Sequence, residues 1–134
     1  MQVLDVRGDW TARRPDLRPG GWAFQYANPH YPDVDDTAVV AMAFDRMQKL
    51  GEADYRAAIE RACEWIVGMQ SGNGGWGAFD ADNTARLVTK LPFCDFGEVV
   101  DPPSADVTAH TVEALAAAGL GGTRACLLYT SRCV

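Results

Sequence analysis

The segment Gly20-Gly21-Trp22-Ala23-Phe24 returns later in the chain as Gly74-Gly75-Trp76-Gly77-Ala78-Phe79. After each copy comes a loop, and then an acidic residue leading into a Thr-Ala helix start. The first such start is Asp35-Asp36-Thr37-Ala38 and the second is Asp106-Val107-Thr108-Ala109. Trp22 and Thr37 are 15 positions apart and Trp76 and Thr108 are 32 apart, so the second loop is longer by 17 residues. A repeat on this scale means stacked supersecondary units, none of which can bury its apolar side alone. Two units are few for independent stability, so the chain is expected to be cut from something larger. The longer loop carries Pro92, Phe93, Phe96, Pro102 and Pro103. A loop of that length inside a compact repeat is usually functional or mobile.

Three helices are expected between and after the repeats. The first spans about Thr37 to Leu50, with Val39, Val40, Ala43, Phe44, Met47 and Leu50 on one side. The second spans about Asp54 to Met69, with Tyr55, Ala58, Ile59, Ala62, Ile66 and Met69 spaced likewise. The third spans about Val107 to Ala118, with Ala109, Val112, Leu115 and Ala116. Each follows the three-to-four residue spacing of an amphipathic helix. Asp35 or Asp36, Asp54 and Asp106 suit the N-caps, and Gly51 and Gly119 suit the ends. No alternating strand pattern stands out. The fold class is therefore all-α, built of helical hairpins with long loops. Residues 1–120 form one unit. The stretch 121–134 breaks the pattern, holds two of the four cysteines, and is expected to be an artefact of frame, cloning or assembly.

Composition narrows the function classes. The formal net charge of −6 is poor footing for a nucleic-acid backbone or an anionic membrane surface. No apolar run reaches the roughly 20 residues of a spanning helix, and Met1 to Trp10 has no signal-peptide pattern. Cys63, Cys94, Cys126 and Cys133 form no close pair with metal-ligand spacing, and His30 and His110 are the two histidines. This argues against zinc and for free thiols in a reducing compartment.

Asp33, Asp35 and Asp36 place three carboxylates within four positions. Charges that close cannot all ionise cheaply, so one pKa is expected to rise and one proton to be retained. The positive end of a helix dipole waits to stabilise the conjugate base. Such a group is a usable general acid. The plainer alternative is helix capping in a solvated turn. Magnesium binding finds little support, because nothing nearby supplies a phosphate cradle. Trp22, Phe24, Tyr26 and Tyr31 precede the cluster, and aromatic faces stabilise cations by roughly 0.5–2 kcal/mol each. The two repeat tryptophans read as structural staples, whereas Phe24 reads as functional. By the repeat, His110 matches Val39, so two helices starting side by side would bring His110 to Asp35. An imidazolium there would strengthen the acid. A satisfied structural histidine is the alternative.

Together these residues resemble the squalene–hopene cyclases over about Gly8 to Leu120. Asp33-Val34-Asp35-Asp36-Thr37-Ala38 matches the family's acid motif, and Gln70-Ser71-Gly72-Asn73-Gly74-Gly75-Trp76-Gly77 its Gln-to-Trp repeat. Phe93-Cys94-Asp95-Phe96-Gly97-Glu98 and Asp101-Pro102-Pro103-Ser104 are similar to a loop that helps line the family's cavity. The resemblance implies part of an α/α barrel (toroid) around a large apolar cavity. It implies Asp35 as proton donor, His110 as its charged partner, and Asp33 and Asp36 as tuning groups. Phe24, Phe79, Phe93 and Phe96 would stabilise cations or lie near the cavity, with Asp106 in a supporting network. Phe79 stands where hopene-forming relatives are expected to have tyrosine, which bears on product choice. The implied reaction is proton-initiated polycyclisation of squalene to hopene or hopanol without metal or organic cofactor. The implied parent is a homodimer, monotopic on the cytoplasmic side of the cell membrane. Alternatives are a cyclase of another polyprene, such as a diterpene diphosphate, or a non-catalytic α/α repeat scaffold. Val34 and Asp36 argue against the oxidosqualene cyclases.

Overall fold

The computed structural model describes residues 1–84 and 100–122. It is mainly helical. A short 3₁₀ helix, Asp9–Ala12, comes first, followed by strands β1 (Trp22–Ala23) and β2 (Pro32–Asp33). Three α-helices follow: α1 (Val34–Lys49), α2 (Arg56–Gly68) and α3 (Ala105–Ala117). The two strands pair antiparallel, Trp22 opposite Asp33 and Ala23 opposite Pro32. Two-residue strands leave no alternation to read, so no residue pattern announces them. Helices α2 and α3 both pack against α1, with α2 following the turn at Gly51. Among the described residues, no helix is long and apolar enough to cross a membrane.

The two Gly-Gly-Trp copies make matching local contacts. Trp22 pairs across the sheet with Asp33, the N-cap of α1, and Trp76 forms a bridge with Ser104, the N-cap of α3. In both copies the tryptophan N–H is donated to the threonine four residues after that cap: Trp22 to Thr37 Oγ1 at 2.8 Å and Trp76 to Thr108 Oγ1 at 3.1 Å. The preceding glycines are required by close approach. A Cβ on Gly21 would lie 2.8 Å from the Pro32 Cβ, and one on Gly75 would lie 2.9 Å from the Pro103 Cβ.

The core gathers Trp10, Val34, Ala38, Ile59, Trp65, Ile66, Met69, Trp76, Val107, Ala114 and Leu115. Trp10, Trp65 and Trp76 are essentially fully buried. Each buries roughly 150–250 Å², worth on the order of 4–6 kcal/mol before entropy is subtracted. Trp76 also donates its indole N–H to the Ile66 carbonyl at 2.7 Å, near the end of α2. Arg14 closes the same region from outside, donating to the carbonyls of Gly68 and Gln70 at 2.7 Å each and pairing with Asp82 at 2.9 Å.

The face expected inward on α2 is inward, with Ile59, Ala62, Ile66 and Met69 buried and Cys63 and Trp65 beside them. The faces expected on α1 and α3 are inward only in part, at Val40 and Phe44 on α1 and at Val112 and Leu115 on α3. On α1 the buried residues are Val34, Thr37, Ala38 and Ala41, while Val39, Met47 and Leu50 are exposed. On α3 they are Val107, Thr108, Thr111, Ala114 and Leu115, while Ala109 and Ala116 are exposed. The residues that α1 and α3 bury are mostly small, which a count of large apolar residues overlooks. The caps shift as well. Asp33, Tyr55 and Ser104 occupy the N-cap positions instead of Asp35 or Asp36, Asp54 and Asp106. Gly51 and Gly119 follow α1 and α3 at φ +80° and +82°, as the C-terminal glycine signal requires.

Candidate active site

The start of α1 is assembled from three directions. Asp33 ends β2 and caps the helix, its Oδ1 accepting from the Asp36 N–H at 3.0 Å. The Val34 N–H is donated to the Ala78 carbonyl at 2.7 Å, which ties the first helix start to the second repeat turn. Thr37, one turn on, is fixed by Trp22. Asp35 is then left pointing toward α3, where its Oδ1 lies 2.6 Å from His110 Nδ1. The two residues are 75 positions apart in sequence. The repeat brings them together as expected.

Electrostatics differentiate the members of the cluster. Burial pushes the Asp33 carboxyl up to about 6, against the pull of the Asp36 N–H and with help from its acidic neighbours. A raised acid was expected from like-charge crowding; the larger cause is desolvation of the one aspartate that lies inside. His110 is held above its ordinary range, first by the hydrogen bond to Asp35, then by the Asp35 charge, with Glu113 and Asp106 adding to it. Asp106 is held below its ordinary range by the Ser104 hydroxyl and the Val107 N–H, so it serves the first turn of α3. The pair at its centre is half open, with side-chain exposures of 47% for His110 and 38% for Asp35.

The aromatic residues assemble separately. Phe24, Tyr31 and Phe79 line a cavity of about 490 Å³ together with Asp9, Gln25, Asn28, Asp80, Asn83 and Asp101. Phe24 and Phe79 are thus brought together, but Asp35 and His110 are not among the lining residues. Tyr26 is fully exposed, and Trp22 is buried against Phe44 with ring centroids 5.6 Å apart. The expected aromatic approach to the acid is therefore divided between a core role and a cavity wall. Phe93 and Phe96 lie outside the described residues, as do Cys94, Cys126 and Cys133 and most of the 121–134 stretch. Among the described residues no group of three or more His, Cys, Asp or Glu side chains could hold a metal ion.

Asp101 is the site residue that the sequence did not single out. Its carboxylate accepts the N–H groups of Ala78, Phe79 and Asp80 at 3.0, 2.6 and 2.8 Å. It therefore shapes the turn that carries Phe79 and, through the Ala78 carbonyl, holds Val34. Its place in the Asp-Pro-Pro-Ser segment was visible, but the three backbone donors lie more than 20 positions away.

Residues 1–128 match the family model of the squalene–hopene cyclase C-terminal domain. The chain is 58% identical over 125 residues to the squalene–hopene cyclase of Zymomonas mobilis, covering 92% of this chain and 19% of that protein. It is 56% identical over 116 residues to the squalene–hopene cyclase of Alicyclobacillus acidocaldarius, covering 87% and 18%. It is also 56% identical over 118 residues to that of Schizosaccharomyces japonicus, covering 88% and 18%. The chain thus spans under a fifth of the length of these curated relatives. With the repeat turns, the acid cluster and the match along nearly its whole length, the chain belongs to the squalene–hopene cyclase family.

Proposed function

We propose that this chain is the acid-bearing part of a triterpene cyclase that protonates squalene and cyclises it through carbocations to hopene or hopanol, within an α/α-barrel domain. The observation that supports this most is the 2.6 Å contact of Asp35 with His110. An alkene is a far weaker base than an oxygen or nitrogen, so its proton donor must be a strong acid that is protonated at rest. In this reading Asp35 carries the transferable proton on the oxygen away from His110. The imidazolium donates its Nδ1–H to the other oxygen and stabilises the carboxylate left behind. Asp33 and Asp36 keep a proton in the cluster, and the N-terminal end of α1 favours the product anion. Phe24 and Phe79 would face the cations formed later, and Phe93 and Phe96 would complete that wall. The parent acts as a dimer attached to one face of a membrane, a reading that rests on the family alone.

The isolated 134-residue chain carries one rim of a cavity and is expected to turn over no squalene, because cation chemistry needs an enclosed, water-free site. The test is a full-length parent incubated with squalene and its products identified by mass spectrometry. Hopene or hopanol from the parent, none from Asp35→Asn, and a rate at least tenfold lower from His110→Phe support the proposal. An active Asp35→Asn protein overturns it.

A further inference from the structure

Asn73 is followed by Gly74 in the turn that leads into Trp76. Asn73 is exposed, while Ser71, Gly74 and Gly75 are buried. Hydrogen bonds close the turn around the Asn73–Gly74 peptide. The Gly74 N–H is donated to the Ser71 carbonyl at 2.8 Å, and the Ser71 N–H to the Gly75 carbonyl at 2.9 Å. The Gly75 N–H is donated to Asn73 Oδ1 at 3.0 Å, and the Gln70 side-chain amide to the Gly74 carbonyl at 2.8 Å. Gly74 sits at φ +93°, where a residue with a side chain would be strained.

We propose that Asn73-Gly74 is a self-modifying site that the folded turn keeps shut, so that Asn73 loses its side-chain amide when the turn opens. Asparagine is a labile residue, and before glycine no side chain shields the attacking nitrogen. The Gly74 nitrogen gives its proton to hydroxide and attacks Asn73 Cγ. The new C–N bond closes a five-membered succinimide, and the side-chain nitrogen takes up a proton and leaves as ammonia. Water then opens either carbonyl of the ring, giving aspartate or isoaspartate. Water is consumed, ammonia is released, and nothing is oxidised or reduced. Two bonds of the turn act in opposite senses. The Gly75 N–H on Oδ1 makes Cγ a better electrophile. The Ser71 carbonyl holds the proton that must leave first, on a nitrogen buried away from base. The second effect wins, because an amide is a very weak acid and its anion would face a carbonyl oxygen at 2.8 Å. Attack therefore waits for local opening. The isoaspartate product adds a carbon to the main chain inside the turn, so the Ser71–Gly75 bond loses its register. That turn sets Trp76, whose N–H reaches Thr108 on α3. A brief opening is thereby recorded as a covalent change.

The experiment incubates the full-length parent at mildly alkaline pH, once folded and once unfolded in urea, and follows the tryptic peptide 62–86 by mass spectrometry over time. Fragmentation locates the acid at Asn73 and separates it from Asn83, which precedes the β-branched Thr84 and serves as an internal reference. In the unfolded chain Asn73 is expected to convert faster than Asn83. In the folded protein Asn73 is expected to convert at least about tenfold more slowly than in the unfolded chain, the cost of breaking about one buried hydrogen bond before attack. Conversion of Asn73 at the same rate in folded and unfolded protein overturns the inference, as does an unfolded chain in which Asn73 converts no faster than Asn83. Neither result touches the proton-donor reading, since no cyclisation is measured.

Discussion

Thr37 accepts the backbone N–H of Trp22 at 2.8 Å and donates its own hydroxyl proton to the Asp33 carbonyl at 2.5 Å. Both residues are buried. One hydroxyl thus joins the Gly-Gly-Trp turn to the cap of the acid-bearing helix, and Thr108 receives Trp76 in the same way.

Replacing that hydroxyl by a methyl group keeps the shape and removes both bonds. Thr37→Val is expected to destabilise the parent by about 1–3 kcal/mol, because the Trp22 N–H is left buried and unpaired. Thr37→Ser should cost less. Urea unfolding of the two variants beside Thr108→Val checks this, and a Thr37→Val protein as stable as wild type would count against it.

The glycines before each tryptophan are held by contact. Gly21→Ala places a Cβ against Pro32 and the Trp65 ring, and Gly75→Ala places one against Pro103 and the Thr108 hydroxyl. Each is expected to lose about 1–3 kcal/mol through overpacking. Gly51→Ala meets open space but sits at φ +80°, and is expected to lose only about 1 kcal/mol. Thermal midpoints that rank Gly51→Ala below the other two would contradict this account.

Asp33 gives the fold a pH dependence with a definite sign. Its folded value of about 6 lies above the ordinary carboxylate value of 3.8. Between the two, the folded state holds a proton that the unfolded state has lost. Stability therefore falls as pH rises from about 4 to about 6. Asp33→Asn keeps an N-cap acceptor, since asparagine caps about as well as aspartate. It is expected to flatten that part of the stability–pH curve without loss at neutral pH. Chemical denaturation at a series of pH values measures it directly; an unchanged slope in Asp33→Asn would show that another group is responsible.

Asp101→Ala is expected to release the Ala78–Asp80 turn. Three N–H groups lose their acceptor at once, and each costs about 1–3 kcal/mol where it remains shielded from water. Hydrogen exchange should rise at those three amides and at Val34, whose partner is the Ala78 carbonyl. Exchange confined to residues 78–80 would mean that the two repeat turns are independent.

Much of this was legible in the sequence, and the failures share a cause. The Asp35–His110 contact could be read because the repeat gives equivalent positions to two helix starts. Helix α2 could be read because most of its large apolar residues, Ile59, Trp65 and Ile66, are buried, with Val67 the exception. Helix α1 could be read only in part, because Thr37, Ala38 and Ala41 are buried while Val39, Met47 and Leu50 are more apolar or as apolar and face outward. Periodicity reports that a face is apolar and cannot rank two such faces. Asp101 was illegible for a different reason: a carboxylate that binds backbone leaves no side-chain partner in the sequence to pair with it.

The bond from the Val34 N–H to the Ala78 carbonyl has a consequence for anyone wishing to redesign such a protein. The residue preceding Asp35 and the residue preceding Phe79 are tied main chain to main chain, so the acid and the aromatic wall cannot be adjusted as separate modules. A substitution that resettles the Phe79 turn also tilts the first turn of α1, and with it, if Asp35 is the proposed donor, the direction of its proton. The proposed function would then have its selectivity and its initiation geared to one another, and libraries that vary residues 77–80 would do well to vary the first turn of α1 in the same step.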